Sequence, residues 1–146
     1  MSNRSRIGTP AETAAKRWLQ DNGWPDADRQ PLRGNRDQGD LIVCRTPLVI
    51  AEVKAGAQAE NASDALIAAW LTETDTEAVH AGADLGVLIV RRFRRPVARW
   101  DAYMRANDMA LILTGASILY NAAPWPVRMT LADWSAAALA WLDGAE

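Results

Sequence analysis

A chain of 146 residues with 49% hydrophobic content is the size of one domain and carries enough apolar material for a real core. A single cysteine (Cys44) and a single histidine (His80) exclude an internal disulfide and a Cys/His zinc site, and they leave little from which to build a Ser-His-Asp or Cys-His enzyme. A net charge of −2 argues against a protein that coats nucleic acid indiscriminately. No apolar run approaches the roughly 18 residues of a membrane span. The basic start Met1-Ser2-Asn3-Arg4-Ser5-Arg6 lacks the apolar stretch of a secretory signal. The expectation is a cytoplasmic, membrane-free single domain over 1–146, with 1–7 a flexible lead.

Thr9-Pro10-Ala11-Glu12 reads as a helix start: Thr as N-cap, Pro at the first helical position, Glu three after the cap. That helix runs to about Asn22 with Gly23 as its stop, and Ala15, Trp18 and Leu19 form its apolar stripe. Residues 24–39 are a loop rich in Pro, Asp, Arg and Gly. Two apolar runs follow, Leu41-Ile42-Val43-Cys44 and Leu48-Val49-Ile50-Ala51, with Arg45-Thr46-Pro47 as the turn between them. They predict a hairpin over about 40–54, in which Cys44 is a small buried residue. An earlier meander strand is either hidden near Gln30 to Arg33 or missing. Asn61 or Ser63 caps a helix over about 64–80, striped by Leu66, Ile67, Trp70 and Leu71 and ended by Gly82. Leu85 to Val90 is a wholly apolar strand, buried and parallel to a neighbour.

Pro96 starts a predicted third helix to about Ala106, carrying Val97, Trp100 and Met104. Met109 to Leu113 reads as a strand, followed by Thr114-Gly115, which either ends it or caps a short helix through Tyr120, and by a loop over 121–126. Thr130-Leu131-Ala132-Asp133 is another N-terminal cap pattern, opening a helix to about Leu142. This C-terminal helix has more apolar surface than one core face needs and suggests a partner surface. Five tryptophans (Trp18, Trp70, Trp100, Trp134, Trp141) fall on helical stripes and read as core. Trp24 and Trp125 are loop-borne, with packing the favoured role. The order of elements gives an α/β fold.

Candidate chemistry centres on Asp40, Glu52 and Lys54. Asp40 opens the first hairpin strand after Gly39, and Glu52-Val53-Lys54 closes the second. Side chains alternate along a strand, so Glu52 and Lys54 share a face and Val53 takes the other. Oxygen-rich sites suit hard ions such as Mg²⁺, which needs only one or two carboxylates besides substrate phosphate and water. A neighbouring lysine can orient or deprotonate water, or offset developing charge. Lys16 and Lys54 are the only lysines, which gives the second more weight. Asp37 is a loop acid three residues before Asp40. Charge is distributed unevenly: six acids and no Lys or Arg lie between Glu60 and Asp84, and six arginines against one acid, Asp101, between Arg91 and Arg105. Arg33 and Arg36 flank Asn35 beside the acidic residues, and Arg91, Arg92, Arg94 and Arg95 surround Phe93. Both groups suit phosphate contact. His80 closes a helix, where a cation is favourable, and has no catalytic assignment.

At these residues the chain resembles the PD-(D/E)XK nucleases, the restriction-endonuclease-like superfamily. Asp40, Glu52 and Lys54 match the D…(E/Q)xK core. Residues 33–40, 49–54 and 81–90, read together, look like the putative Holliday junction resolvases of actinobacteria and their phages, a resemblance covering about 8–95. It implies an αβββαβ core, a mixed central sheet flanked by helices, and an extra C-terminal helix. It also implies metal-dependent DNA hydrolysis with Mg²⁺ (Mn²⁺ substituting) held by Asp40 and Glu52, and Lys54 beside the attacking water. In such resolvases a glutamate of the N-terminal helix joins the metal site, and Glu12 matches that position, although helix capping explains the same residue. The implied partners are branched DNA and a second copy of the chain in a two-fold dimer, with no small-molecule cofactor. Restriction-, repair- or flap-type nucleases, and a DNA-binding module without catalysis, are the alternatives.

Overall fold

A computed structural model describes residues 4–30, 40–116 and 124–144. Arg33, Arg36 and Asp37 therefore lie outside the described residues, as does the short helix considered through Tyr120. Six strands form one mixed sheet in the order β1-β2-β3-β4-β5-β6. They are β1 (Asp28–Arg29), β2 (Leu41–Arg45), β3 (Leu48–Lys54), β4 (Leu85–Val90), β5 (Asp101–Arg105) and β6 (Pro126–Thr130). Helices α1 (Arg4–Asp21), α2 (Ala57–Glu60), α3 (Asp64–Ala81), α4 (Ala106–Thr114) and α5 (Leu131–Gly144) complete the fold. Among the described strands only the β3–β4 pair is parallel, because the connection between them contains α3, a crossover long enough to bring the chain back in the same direction. No described helix is long and apolar enough to cross a membrane.

β4 is the centre of the sheet. All six of its residues are buried, as an unbroken apolar run predicts for a strand covered on both faces. On one face Val49, Ala51, Val53, Val87 and Ile89 pack with Ala11, Ala15 and Leu19 of α1 and Leu131, Trp134 and Ala138 of α5. On the other, Leu88, Val90 and Tyr103 pack with Ala59 and with Ile67, Trp70 and Leu71 of α3. The first meander strand exists and is short: β1 pairs Asp28 with Ile42 and Arg29 with Leu41, just ahead of the segment where sequence placed it. Ser63 is the N-cap of α3, its Oγ accepting from the Leu66 N–H at 3.1 Å. Gly82 ends that helix at φ 67, a left-handed turn that glycine adopts without strain. Thr130 Oγ1 accepts from the Asp133 N–H at 3.1 Å and so caps α5.

Three expectations are corrected. Helix α1 starts at Arg4, with Pro10 inside it, so Thr9 is not its N-cap and the capping account of Glu12 falls away. The helix placed over 96–106 and the strand over 109–113 are exchanged. Val97–Arg99 is one 3-10 turn, residues 101–105 are β5, and residues 106–114 are α4. Both segments are short mixtures of apolar and polar residues, and their periodicity is ambiguous. The open edge of β4 decides the outcome: Leu88, Ile89 and Val90 find antiparallel partners in Tyr103, Ala102 and Asp101. Trp100 is buried as expected, but from the residue before a strand rather than from a helix. Finally, an unexpected strand, β6, begins at the last residue of the predicted 121–126 loop, and its residues 126–130 pair with 105–101 of β5.

Candidate metal centre

Glu52 and Lys54 share the α3 face of the sheet, since Val53 packs into the opposite core and side chains alternate. Glu52 is 5% exposed. Its Oε1 lies 3.2 Å from Lys54 Nζ, and Lys54 Nζ also lies 3.5 Å from Oε1 of Glu73. The ammonium stands 5.6 Å from the ring centroid of Trp70 on α3, within cation–π range. Asp40 joins from the start of β2. Its N–H donates to the Ala51 carbonyl at 3.0 Å, and its Oδ2 accepts from the Val53 N–H at 2.8 Å. The expected Asp40, Glu52 and Lys54 are thus assembled at the ends of adjacent strands.

Helix α3 adds two carboxylates. Carboxylate oxygens of Glu52, Glu73 and Glu77 lie within 4.8 Å of one another. Glu77 is 4% exposed, whereas the Glu73 side chain is half exposed. Helix and sheet approach closely because β4 offers no side chain at Gly86: a Cβ there would sit 3.2 Å from Thr74 Cγ2 and 3.3 Å from Ala78 Cβ. Sequence reasoning stopped the α3 stripe at Leu71. The same stripe continues through buried Thr74 and Glu77, and polar residues at helical spacing within a buried stripe are the signal that would have found them.

The electrostatics follow from burial. Glu52 is pushed up to about 9 by loss of solvent, and then by the neighbouring Glu77 carboxyl, whose charge and lone pairs both favour a proton on Glu52; Lys54 opposes this. Burial disfavours charge on Lys54, but Glu52, Glu73 and Asp40 together outweigh it and hold the amine above its ordinary value. Oε2 of Glu52 is buried with no hydrogen-bond partner. A buried oxygen of this kind, facing further carboxylates, suits a hard cation.

Other predicted residues are placed elsewhere. Glu12 pairs with Arg29 of β1 at 3.1 Å and is not part of the Glu52 cluster. Arg92 turns inward: its guanidinium donates to Asp101 Oδ2, the Ala59 carbonyl and Tyr103 Oη, so it braces β5 against α2. Arg91, Arg94 and Arg95 are exposed. Arg91 stands 5.5 Å from the Trp100 ring and Arg94 5.2 Å from the Phe93 ring, and Phe93 itself is 69% exposed. Arg95 lines a groove with Phe93, Arg92 and Arg128 of β6. Trp24 is packed, as favoured: it stacks on Trp134 with centroids 5.8 Å apart and donates to Ser135 Oγ. Compared with family models, curated proteins and solved structures, the chain matches none.

Proposed function

We propose that this chain is a metal-dependent endodeoxyribonuclease of the restriction-endonuclease-like class, cytoplasmic, acting as a homodimer on four-way DNA junctions. The observation that carries the reading is the buried Glu52 with Lys54 against it, at the end of β3, beside Asp40 at the start of β2. The order α1-β1-β2-β3-α2-α3-β4 supports it, since with the one-turn α2 set aside it is the αβββαβ order that the resemblance implies. So does the position of the site where a parallel strand pair ends, the usual location of α/β sites.

Glu52, with Asp40 beside it, would hold Mg²⁺ or Mn²⁺. The chemistry such an ion supplies when bound is Lewis-acid polarisation of the phosphoryl group and stabilisation of the leaving oxygen. Asp40, hydrogen-bonded to the Val53 N–H, fixes the two strands whose ends carry the site. Lys54, an ammonium among carboxylates, orients a water for in-line attack and offsets negative charge as it grows on phosphorus. Arg91, Arg94 and Arg95 with Phe93 form an exposed basic surface suited to phosphate contact and base stacking. The junction substrate rests on the resemblance of residues 33–40, 49–54 and 81–90 alone.

The test is cleavage of a synthetic four-way junction with Mg²⁺ or Mn²⁺, alongside linear duplex, flap and mismatch substrates. Symmetric cutting of the junction, lost in Lys54→Ala and Asp40→Asn, is the expected result. Normal cutting by either variant would sink the mechanism. Cutting of flap or linear DNA in preference to junctions would keep the chemistry and replace the substrate.

A further inference from the structure

We propose that helix α3 supplies the principal protein ligands of the cation besides Glu52, namely Glu73 and Glu77, so that the metal centre is built across a strand and a helix. Its role in hydrolysis rests on the nuclease reading above. Residues four apart on a helix lie on one face a turn apart, and here that face looks down on β3. The two α3 carboxylates reach within 4.8 Å of Glu52, a separation at which one ion touches all three, given metal–oxygen distances of about 2.0–2.6 Å.

Proximity of acids is common without an ion. What marks this cluster is Oε2 of Glu52, buried, lacking any hydrogen-bond partner, and belonging to a residue only 5% exposed. Burying a carboxyl oxygen without a donor is unfavourable, and a coordinated cation removes that penalty. Lys54 touches the cluster, bridging Glu52 and Glu73 at 3.2 and 3.5 Å. Three carboxyl groups converge on this point, so oxygen donors for a cation are gathered here. Asp40, by contrast, has Oδ2 engaged by the Val53 N–H and lies outside the three-carboxylate cluster. Glu73 is the half-exposed member, the side from which an ion and a phosphate would enter.

The ligand is a hard divalent cation, and the probe is Mn²⁺ without DNA. Binding to the full chain is followed by electron paramagnetic resonance of free Mn²⁺ and by calorimetry. Glu73→Gln and Glu77→Gln are each expected to weaken Mn²⁺ binding at least tenfold, and Asp64→Asn, at an exposed acid in the first turn of the same helix, less than threefold. Glu73→Gln keeps the test sound if the more buried Glu77→Gln fails to fold, which circular dichroism would reveal. Unchanged affinity in Glu73→Gln, or loss of binding confined to Asp40→Asn, overturns the inference while leaving metal-dependent cleavage to the junction assay. Failure of the parent chain to bind Mn²⁺ at millimolar concentration also overturns it, since the site is argued to exist before DNA arrives.

Discussion

Glu52→Gln should make the metal-free protein more stable while removing its response to metal. The buried carboxyl holds its proton up to about pH 9, against an ordinary value of 4.5. Folded chains therefore bind one more proton than unfolded chains between those limits. Stability is greatest below about pH 4.5 and falls as pH rises towards 9, by about 1.4 kcal/mol per pH unit. At pH 7 the loss is on the order of 3 kcal/mol. A glutamine amide has the same shape, cannot ionise, still offers an oxygen to Lys54 Nζ, and can donate to Glu77. One amide oxygen and one NH₂ must then serve Lys54 Nζ and Glu77 in place of the carboxyl, and an imperfect fit returns part of the gain. The net expectation is about 2 kcal/mol of stabilisation at pH 7 in EDTA, or roughly 6 °C in Tm for a domain of this size. Thermal unfolding by circular dichroism, in EDTA and in 1 mM Mn²⁺, at pH 5 and pH 7, reads it directly. The parent should melt higher with Mn²⁺ and the variant should not. If the variant melts at or below the parent at pH 7 in EDTA, or shows the same pH dependence, Glu52 is not held neutral by burial and the electrostatic account of the site is wrong.

Gly86→Val should push α3 off β4, because its Cβ would meet Thr74 and Ala78 at 3.2–3.3 Å; about 1–3 kcal/mol of destabilisation is expected in urea titrations, with Mn²⁺ affinity falling as Glu73 and Glu77 move from Glu52. Arg92→Ala strips a largely buried guanidinium from Asp101, which is 8% exposed, and should cost about 3 kcal/mol by leaving that carboxylate unpaired. Arg95→Ala, at an exposed position, should instead leave stability unchanged and weaken junction binding with a shallower salt dependence, read by fluorescence anisotropy at several ionic strengths. Asp108 is raised to about 6 by burial and then by the charge of Asp75, with Arg105 opposing. Its raised value favours the folded state below about pH 4 and loses that advantage as pH climbs through 6. Asp108→Asn should therefore gain stability relative to the parent as pH rises from 4.5 to 7.5, and a constant difference across that range would exclude the effect.

Much of the site could be read from local pattern. Alternation along Leu48–Lys54 was enough to put Glu52 and Lys54 on one face, and the apolar run Leu85–Val90 was enough to make it a central strand. Those readings succeed because strand periodicity and full burial leave direct marks in sequence. Glu73 and Glu77 left a fainter mark. They lie in an acidic stretch that, read alone, looks like a solvated helix face, and only the approach of α3 at Gly86 turns Glu77 inward. The exchange of strand and helix across residues 96–114 failed for a related reason. Asp101–Arg105 has no decisive periodicity of its own, and it became a strand because the edge of β4 was available to pair with it.

The sequence by itself determined the α/β class, the hairpin that carries Asp40 and Glu52, the cap at Thr130, a cap at Asn61 or Ser63 for α3, and the conjunction of two acids with a lysine. These depend on neighbours a few residues apart, where backbone geometry dictates which side chains meet. The tertiary structure alone decided that Glu12 pairs with Arg29, that Arg92 turns into the protein, and that α3 places two further carboxylates over Glu52. Those outcomes depend on how a helix and a sheet pack, and packing is settled by shape and burial across distant segments that no local spacing records.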